Sequence, residues 1–179
     1  MAGNSLISRR TEHSPMSKCS RCIKNERLDG IEYCSHCLPS ILEKRVLNAL
    51  KGAVDQEGTG QIKLLVISDD ATSLDTVIGV YLAKKVLGGS IPVKLAKAKP
   101  RKAPKGTITL RAQCSDDLAT DLIRRFISKP AASQPLFGKE ANILGSITER
   151  ELRIYAEMKR IKYEHENKGL RQIIQKMQE

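Results

Sequence analysis

Short apolar runs alternate with helical patterns through the second half of this chain, and this alternation limits the fold more than any other feature. Lys63–Ile67 is a continuous β-prone run of the kind that is buried on both faces of a parallel sheet. An apolar helical pattern follows it through Leu87 and ends at Gly88 and Gly89. Strands separated by helices favour right-handed crossovers, so the sequence predicts an α/β domain with a parallel sheet in a three-layer sandwich.

The other elements follow the same order. A helix is predicted from Ser40, with Pro39 before it and Gly52 near its end. Further strands are predicted over 91–95, 107–110 and 141–144, and further helices over 116–127, 148–161 and 170–177. The last helix has a narrow apolar stripe, which leaves open whether it packs on its own domain or on a partner. We expect a disordered arm over 1–17, a cysteine knuckle over 18–39, and a helix with a linker over 40–60. The α/β domain is expected over 61–163 and a C-terminal helix over 164–179.

Four cysteines near the start of the chain are separated by two, eleven and two residues. Two Cys-x-x-Cys pairs can hold one tetrahedral metal ion through four thiolates, and a closed site of this kind is structural. The sequence therefore predicts a structural Zn²⁺ bound by Cys19, Cys22, Cys34 and Cys37. Two disulfides or a set of buried thiols are the alternatives, but no apolar signal segment precedes the cysteines, so we expect a cytoplasmic location in which thiols stay reduced. His36 could replace one cysteine as a ligand or be solvated.

The chain is strongly basic and poor in aromatic side chains. It has 31 Lys and Arg against 20 Asp and Glu, a formal charge of +11, and only 3% aromatic residues with no Trp. Such a surface attracts nucleic acid through phosphate and shape more than through base stacking. No run is long enough to cross a membrane. The candidate RNA-binding residues, for which a solvated linker is the alternative, are Lys94, Lys97, Lys99, Arg101, Lys102, Lys105, Arg124 and Arg125.

Ser68–Ser73 follows the first predicted strand and opens the next helix, which is where a phosphate-binding loop lies in this kind of fold. Phosphate loops use glycine, whereas Asp69 and Asp70 place two carboxylates here. These acids could cap the helix or bind a nucleotide through a metal ion. Asp116 and Asp117 could likewise cap a helix or bind Mg²⁺. Cys114 is interpreted as a small residue at a strand end.

The order of these features resembles the cytoplasmic tRNA 2-thiolation proteins over residues 18–163. Active members of that family carry Ser-Gly-Gly-x-Asp-Ser, where this chain has Ser-Asp-Asp-Ala-Thr-Ser at 68–73. They also carry Gly-His-Asn-x-Asp-Asp, where this chain has Ala-Gln-Cys-Ser-Asp-Asp at 112–117. Thr148–Ala156 is similar to their last helix, which contains a tyrosine.

The resemblance implies a reduced adenine nucleotide alpha-hydrolase-like (PP-loop) domain. Ser68 and Ser73 are the remaining candidates for nucleotide binding, but the missing glycines put ATP in doubt. The implied role is a non-catalytic subunit that binds tRNA, pairs with a catalytic PP-loop subunit, and through it meets a ubiquitin-like sulfur carrier. The alternatives are an active ATP-dependent tRNA sulfurtransferase and a zinc-ribbon RNA-binding module with no part in thiolation.

Overall fold

The computed structural model describes residues 18–55, 62–97, 106–128 and 141–164. The predicted arm over 1–17 and the predicted helix over 170–177 lie outside the described residues. In chain order the elements are α1 (Cys37–Asp55), β1 (Lys63–Ile67), α2 (Leu74–Val86), β2 (Val93–Ala96), β3 (Thr107–Arg111), α3 (Ser115–Ser128), β4 (Ala141–Asn142) and α4 (Glu149–Lys159). The alternation of strands and helices predicted from the sequence is therefore confirmed.

The four strands form one parallel sheet in the order β2-β1-β3-β4. In β1, Leu64 and Val66 are buried, while Leu65 and Ile67 are half-buried. One face of β1 is therefore more deeply buried than the other. The difference arises because α1, α2 and α4 pack against one another and against the sheet, so one face carries most of the core.

The sheet has a topological switch point between its two central strands. The chain runs from β1 through α2 to one edge, and from β3 through α3 to the other edge. Right-handed crossovers in opposite directions place α2 and α3 on opposite faces of the sheet. The carboxyl ends of β1 and β3 therefore lie next to each other at the position where open α/β sheets bind their ligands.

Helix α1 begins at Cys37, three residues before the predicted start at Ser40. Pro39 lies inside the first turn, where its missing N–H is not needed by the helix. Leu42 and Leu50 are buried in the core of the sheet domain, whereas Ile41 packs with the cysteines. The last cysteine and the domain core therefore share one helix of 19 residues.

Two strands differ from their predicted lengths. β2 begins at Val93 instead of Ile91, because Pro92 can only accept a ladder hydrogen bond, which it does from Leu64 N–H at 3.0 Å. β4 is reduced to Ala141–Asn142, where 141–144 was predicted. The strand ends where the Asn142 side-chain amide bonds the Gln113 backbone. Its oxygen accepts the Gln113 N–H at 3.1 Å, and its nitrogen donates to the Gln113 carbonyl at 2.8 Å.

Helix α4 begins with a capping box. The Thr148 hydroxyl accepts the Glu151 N–H, and the Glu151 carboxylate accepts the Thr148 N–H at 2.9 Å. The helix ends at Lys159, two residues before the predicted end at Ile161, and its C-cap residue Arg160 has a left-handed conformation. This well-defined start fixes Glu151 on the side of α4 that faces α1.

Candidate metal centre and the β1–α2 loop

The four predicted cysteines meet in the cysteine knuckle (residues 18–39), and their sulfur atoms all lie within 4.8 Å of one another. The Sγ atoms of Cys22 and Cys34 are 3.7 Å apart. A tetrahedral ion with metal–sulfur bonds of about 2.3 Å holds its sulfurs about 3.8 Å apart. The knuckle is therefore a metal-binding site, and its sulfur spacing matches that around a tetrahedral ion. His36 is exposed and lies outside this group.

Hydrogen bonds within the knuckle position three of the four sulfurs. The Cys34 backbone N–H donates to the Cys19 sulfur at 3.4 Å. The Asn25 amide donates to the sulfurs of Cys22 and Cys34 at 3.8 Å and 3.7 Å. Such donors orient and stabilise thiolates around a metal.

The pKa values of Cys19 and Cys37 are shifted in opposite directions from the ordinary thiol value. Burial acts to raise the pKa of Cys19, but backbone N–H groups, that of Cys22 foremost, outweigh it and lower the pKa to about 6. Burial and the neighbouring sulfurs raise the pKa of Cys37 to about 12. Four thiolates at this spacing repel one another, so full ionisation requires a bound cation.

Arg45 of α1 joins the cysteine knuckle to the sheet domain. Its guanidinium donates to both carboxylate oxygens of Glu151, at 3.0 Å and 3.2 Å, and to the Tyr33 hydroxyl at 3.1 Å. The same group donates to the Ser146 carbonyl at 3.0 Å and lies over the Tyr33 ring. Because the Glu151 side chain is only 7% exposed, this ion pair is partly shielded from water.

A second ion pair joins the same two regions. Arg150 at the start of α4 donates to the Asp29 carboxylate at 2.9 Å and to its carbonyl at 3.1 Å. Gly30, at φ +72°, lies against the Arg150 guanidinium, which occupies the space that a Cβ would take. The positive φ of this turn between the cysteine pairs therefore favours glycine, and a larger residue would displace the Arg150 guanidinium.

The β1–α2 loop (Ser68–Ser73) bonds its polar groups within the loop, with the first turn of α2 and with one distant residue. The Ser68 hydroxyl donates to the Asp70 carbonyl at 2.8 Å, and the Asp70 carboxylate accepts the Thr72 N–H at 2.8 Å. Ser73 caps α2 by accepting the Thr76 N–H. The role of Ser68 and Ser73 in nucleotide binding stays a prediction.

A residue distant in sequence covers this loop. The Glu164 N–H donates to the Thr72 carbonyl at 2.9 Å, and the Glu164 carboxylate accepts the Thr72 hydroxyl at 3.0 Å. With the exposed carboxylate of Asp69, the loop presents acidic groups at the carboxyl end of β1. An anion such as phosphate is disfavoured beside so many carboxylates.

Asp116 and Asp117 have different surroundings. The Asp116 carboxylate accepts the Glu149 N–H at 2.6 Å, so it caps α4 instead of its own helix. Asp117 is exposed and lies with Asp75 and Cys114 in a second group whose ligand atoms are within 4.8 Å of one another. The sequence reasoning did not single out Asp75, although it and Cys114 follow neighbouring parallel strands.

The predicted RNA-binding residues lie on separate elements. Lys94 and Lys97 are exposed on and just after the edge strand β2. Arg124 is exposed on α3, 3.8 Å from Asp121. Lys99, Arg101, Lys102, Lys105 and the side chain of Arg125 lie outside the described residues. Their common role in binding RNA therefore stays a prediction.

No protein-family model matches the chain, and no curated protein matches its sequence. Among solved structures, the fold is similar to U34-tRNA thiolase NcsA from Methanococcus maripaludis, solved with its [4Fe-4S] cluster, with a TM-score of 0.55. The two share 16% identity, and the match covers 82% of this chain and 73% of the thiolase. Across the described ranges, no helix is long and apolar enough to cross a membrane. The chain therefore has a fold of the PP-loop thiolase type with a four-cysteine metal site.

Proposed function

We propose that this chain is a zinc-bearing, non-catalytic subunit of a complex that thiolates the wobble uridine of tRNA. The observation that carries the proposal is the similarity in fold to U34-tRNA thiolase NcsA. Because one fold hosts many activities, the role is argued further from the residues of this chain. Three features support it: the metal site, the β1–α2 loop and the surface charge.

The spacing of the four sulfurs supports zinc. In a [4Fe-4S] cluster each cysteine ligates a different iron, so its sulfurs stand farther apart than those around a single ion. Here all four lie within 4.8 Å of one another, which suits one tetrahedral ion. The knuckle then holds the start of α1, and the ion has a structural role because four thiolates leave no open coordination position.

The β1–α2 loop supports a non-catalytic role. Nucleotide loops present free backbone N–H groups and glycine to the phosphates. Here Ser73 is engaged as a helix cap, and the carboxylates of Asp70 and Glu164 both bond Thr72. ATP activation of the uridine would therefore belong to a catalytic PP-loop partner, which would also accept sulfur from a ubiquitin-like carrier.

The charge of the chain supports tRNA binding. The formal charge is +11, and Lys94, Lys97 and Arg124 are exposed. Basic side chains of this kind bind phosphates without reading the sequence. The chain would therefore help to hold tRNA for its partner by shape and charge.

The test is nucleoside mass spectrometry of 2-thiouridine at the wobble position in cells with and without the chain. We expect the modified nucleoside to disappear on deletion and to return with the wild-type chain and with a Ser68→Ala, Ser73→Ala double variant. Unchanged 2-thiouridine on deletion would exclude a role in thiolation. Loss of thiolation in a stably folded double variant would instead favour an active, nucleotide-binding enzyme.

A matched measurement uses the Cys34→Ser variant in the same cells. We expect it to fail to restore thiolation, because the knuckle loses its ion and with it the support of α1. The purified full chain should contain one tightly bound Zn²⁺ in the knuckle and no iron by elemental analysis. Iron with acid-labile sulfide at the four cysteines would contradict the zinc assignment.

A further inference from the structure

Two carboxylates and one thiol meet at the carboxyl ends of the central strands, and the proposed function uses none of them. The ligand atoms of Asp75, Cys114 and Asp117 lie within 4.8 Å of one another. Asp75 is the second residue of α2, Cys114 follows β3, and Asp117 lies in the first turn of α3. Three different parts of the fold therefore converge on one point.

This point is the topological switch of the sheet. The chain passes from β1 to the edge strand β2 on one side of the sheet, and from β3 to the edge strand β4 on the other side. In open α/β sheets the crevice between such strands, at their carboxyl ends, is where ligands bind. The position of the three residues is therefore that of a binding site, independently of their chemistry.

We propose that Asp75, Cys114 and Asp117 bind a second divalent cation of the Zn²⁺ type, with a fourth coordination position open. A thiolate with two carboxylates favours zinc over Mg²⁺ or Ca²⁺, which prefer oxygen alone. Three protein ligands and an open position distinguish zinc sites that bind water or substrate from closed structural sites. Asp117 is exposed, so solvent reaches the open position.

The two buried ligands are held rigidly. The Asp75 carboxylate accepts the Cys114 N–H at 2.6 Å, which fixes one residue relative to the other. The Cys114 carbonyl accepts the Leu118 N–H at 3.1 Å, and the next residue, Ser115, donates its N–H to the Ile147 carbonyl at 2.9 Å. A site whose ligands are already positioned loses less entropy on binding an ion.

Burial favours the uncharged forms of Asp75 and Cys114 when no cation is bound. Burial, together with the negative charge of Asp117, raises the pKa of Asp75 to about 6, although the Cys114 N–H opposes the shift. Burial and the nearby carboxylate also raise the pKa of the Cys114 thiol. A divalent ion would stabilise the charged forms of all three groups and bind the thiol as a thiolate.

The first test is the metal content of the full-length reduced chain, equilibrated with excess Zn²⁺ and then dialysed. We expect two Zn²⁺ per chain, one in the knuckle and one at the switch point. Asp117→Asn should weaken the second site roughly tenfold or more, and leave one ion after dialysis. Asp117 is exposed, so this variant does not threaten the fold. Asp69→Asn, which changes an exposed acid of the β1–α2 loop, is the matched control and should keep two ions.

Two results would overturn the proposal. The first is a single Zn²⁺ in the wild-type chain. The second is two ions in both the wild type and Asp117→Asn with equal affinity, which would place the second ion elsewhere. Neither result bears on the role in thiolation, because that test measures modified tRNA in cells.

Cobalt spectroscopy of the full chain gives an independent readout. With Zn²⁺ already in the knuckle, one equivalent of Co²⁺ should produce a thiolate-to-cobalt charge-transfer band from a single sulfur. Cys114→Ala should abolish this band, while its circular dichroism reports whether it folds. A Co²⁺ spectrum of the wild type without a thiolate band would also overturn the proposal.

Discussion

The cysteine knuckle and the β1–α2 loop arrange polar groups in opposite ways. In the knuckle, four thiols face one another within 4.8 Å, and ionisation of all four requires a cation. In the loop, the hydroxyls and carboxylates of Ser68, Asp70 and Ser73 bond groups within the loop and the first turn of α2. One region therefore depends on an ion from outside the chain, whereas the other is stabilised by the chain alone.

This difference separates the two candidate sites of the chain. The knuckle brings four cysteine ligands together, and the β1–α2 loop carries acids at the carboxyl end of β1. Under the proposed function, the chain would contribute structure and binding, and a catalytic partner would contribute the chemistry. The comparison predicts that metal-site variants act on the whole domain, whereas loop variants act only on local stability.

The largest effect is expected from Cys34→Ser or from removal of the metal by a chelator. Structural zinc contributes about 10–16 kcal/mol of binding free energy in small zinc domains, so even partial loss of this energy should lower the melting temperature markedly. Differential scanning calorimetry with elemental analysis measures both. His36→Ser is the control, because His36 is exposed beside the ligands. Equal melting temperatures for Cys34→Ser and wild type would contradict the claim that the knuckle depends on a bound ion.

The next effect concerns the connection between the two regions. Arg45→Met should lower the free energy of unfolding by about 2 kcal/mol, because it leaves the Glu151 carboxylate without its cation. Urea unfolding measures the change. Arg153→Met is the control: it removes a half-exposed pair with Glu149 and should cost about 0.5 kcal/mol or less. If both variants lost the same stability, the Arg45 contact would have no special role.

A smaller effect is expected in the β1–α2 loop. Ser73→Ala should destabilise the chain by about 1 kcal/mol, because α2 loses its N-cap, while tRNA thiolation in cells is unaffected. Ser73→Asp, which can accept the same N–H of Thr76, should recover most of this stability. Thermal unfolding checks both variants. A cost of several kcal/mol would mean that the loop, like the knuckle, supports the whole domain.

The smallest effect is expected at the tip of the knuckle. Ile23 is 65% exposed and has φ +60°, a conformation that is strained for a β-branched residue. Ile23→Gly should therefore stabilise the metal-bound chain by up to about 1 kcal/mol, despite the greater freedom of glycine in the unfolded state. Ile23→Ala keeps the strain and serves as the control. A loss of stability in the glycine variant would show that the Ile23 side chain is needed.

Local signals were sufficient to predict most of the fold. Lys63–Ile67 is flanked by clear breaks, and the apolar pattern after it has helical spacing, so β1 and α2 were predicted closely. Pro39 was interpreted as a boundary, although a proline in the first turn does not interrupt a helix. The early start of α1 at Cys37 was missed for this reason.

Contacts between distant residues were not predictable from local patterns. The cysteine site was predicted because its four ligands lie within 19 consecutive residues, counting from Cys19 to Cys37. Asp75 and Cys114 are 39 residues apart and meet only when β1 and β3 pair. The Arg45–Glu151 pair spans 106 residues. Side-chain pairing at this range depends on the register of the sheet and the packing of helices, which no local spacing specifies.

Because α1 begins at a metal ligand and continues into the hydrophobic core, the order in which the chain is synthesised bears on how α1 folds. All four cysteines leave the ribosome before any strand of the sheet. An ion captured at that stage would fix the first turn of α1 and offset the cost of helix nucleation while the strands are still being made. We expect stalled nascent chains that end after α2 to be protected from protease near α1 only when zinc is supplied. Protection without zinc would mean that the helix forms independently of the metal.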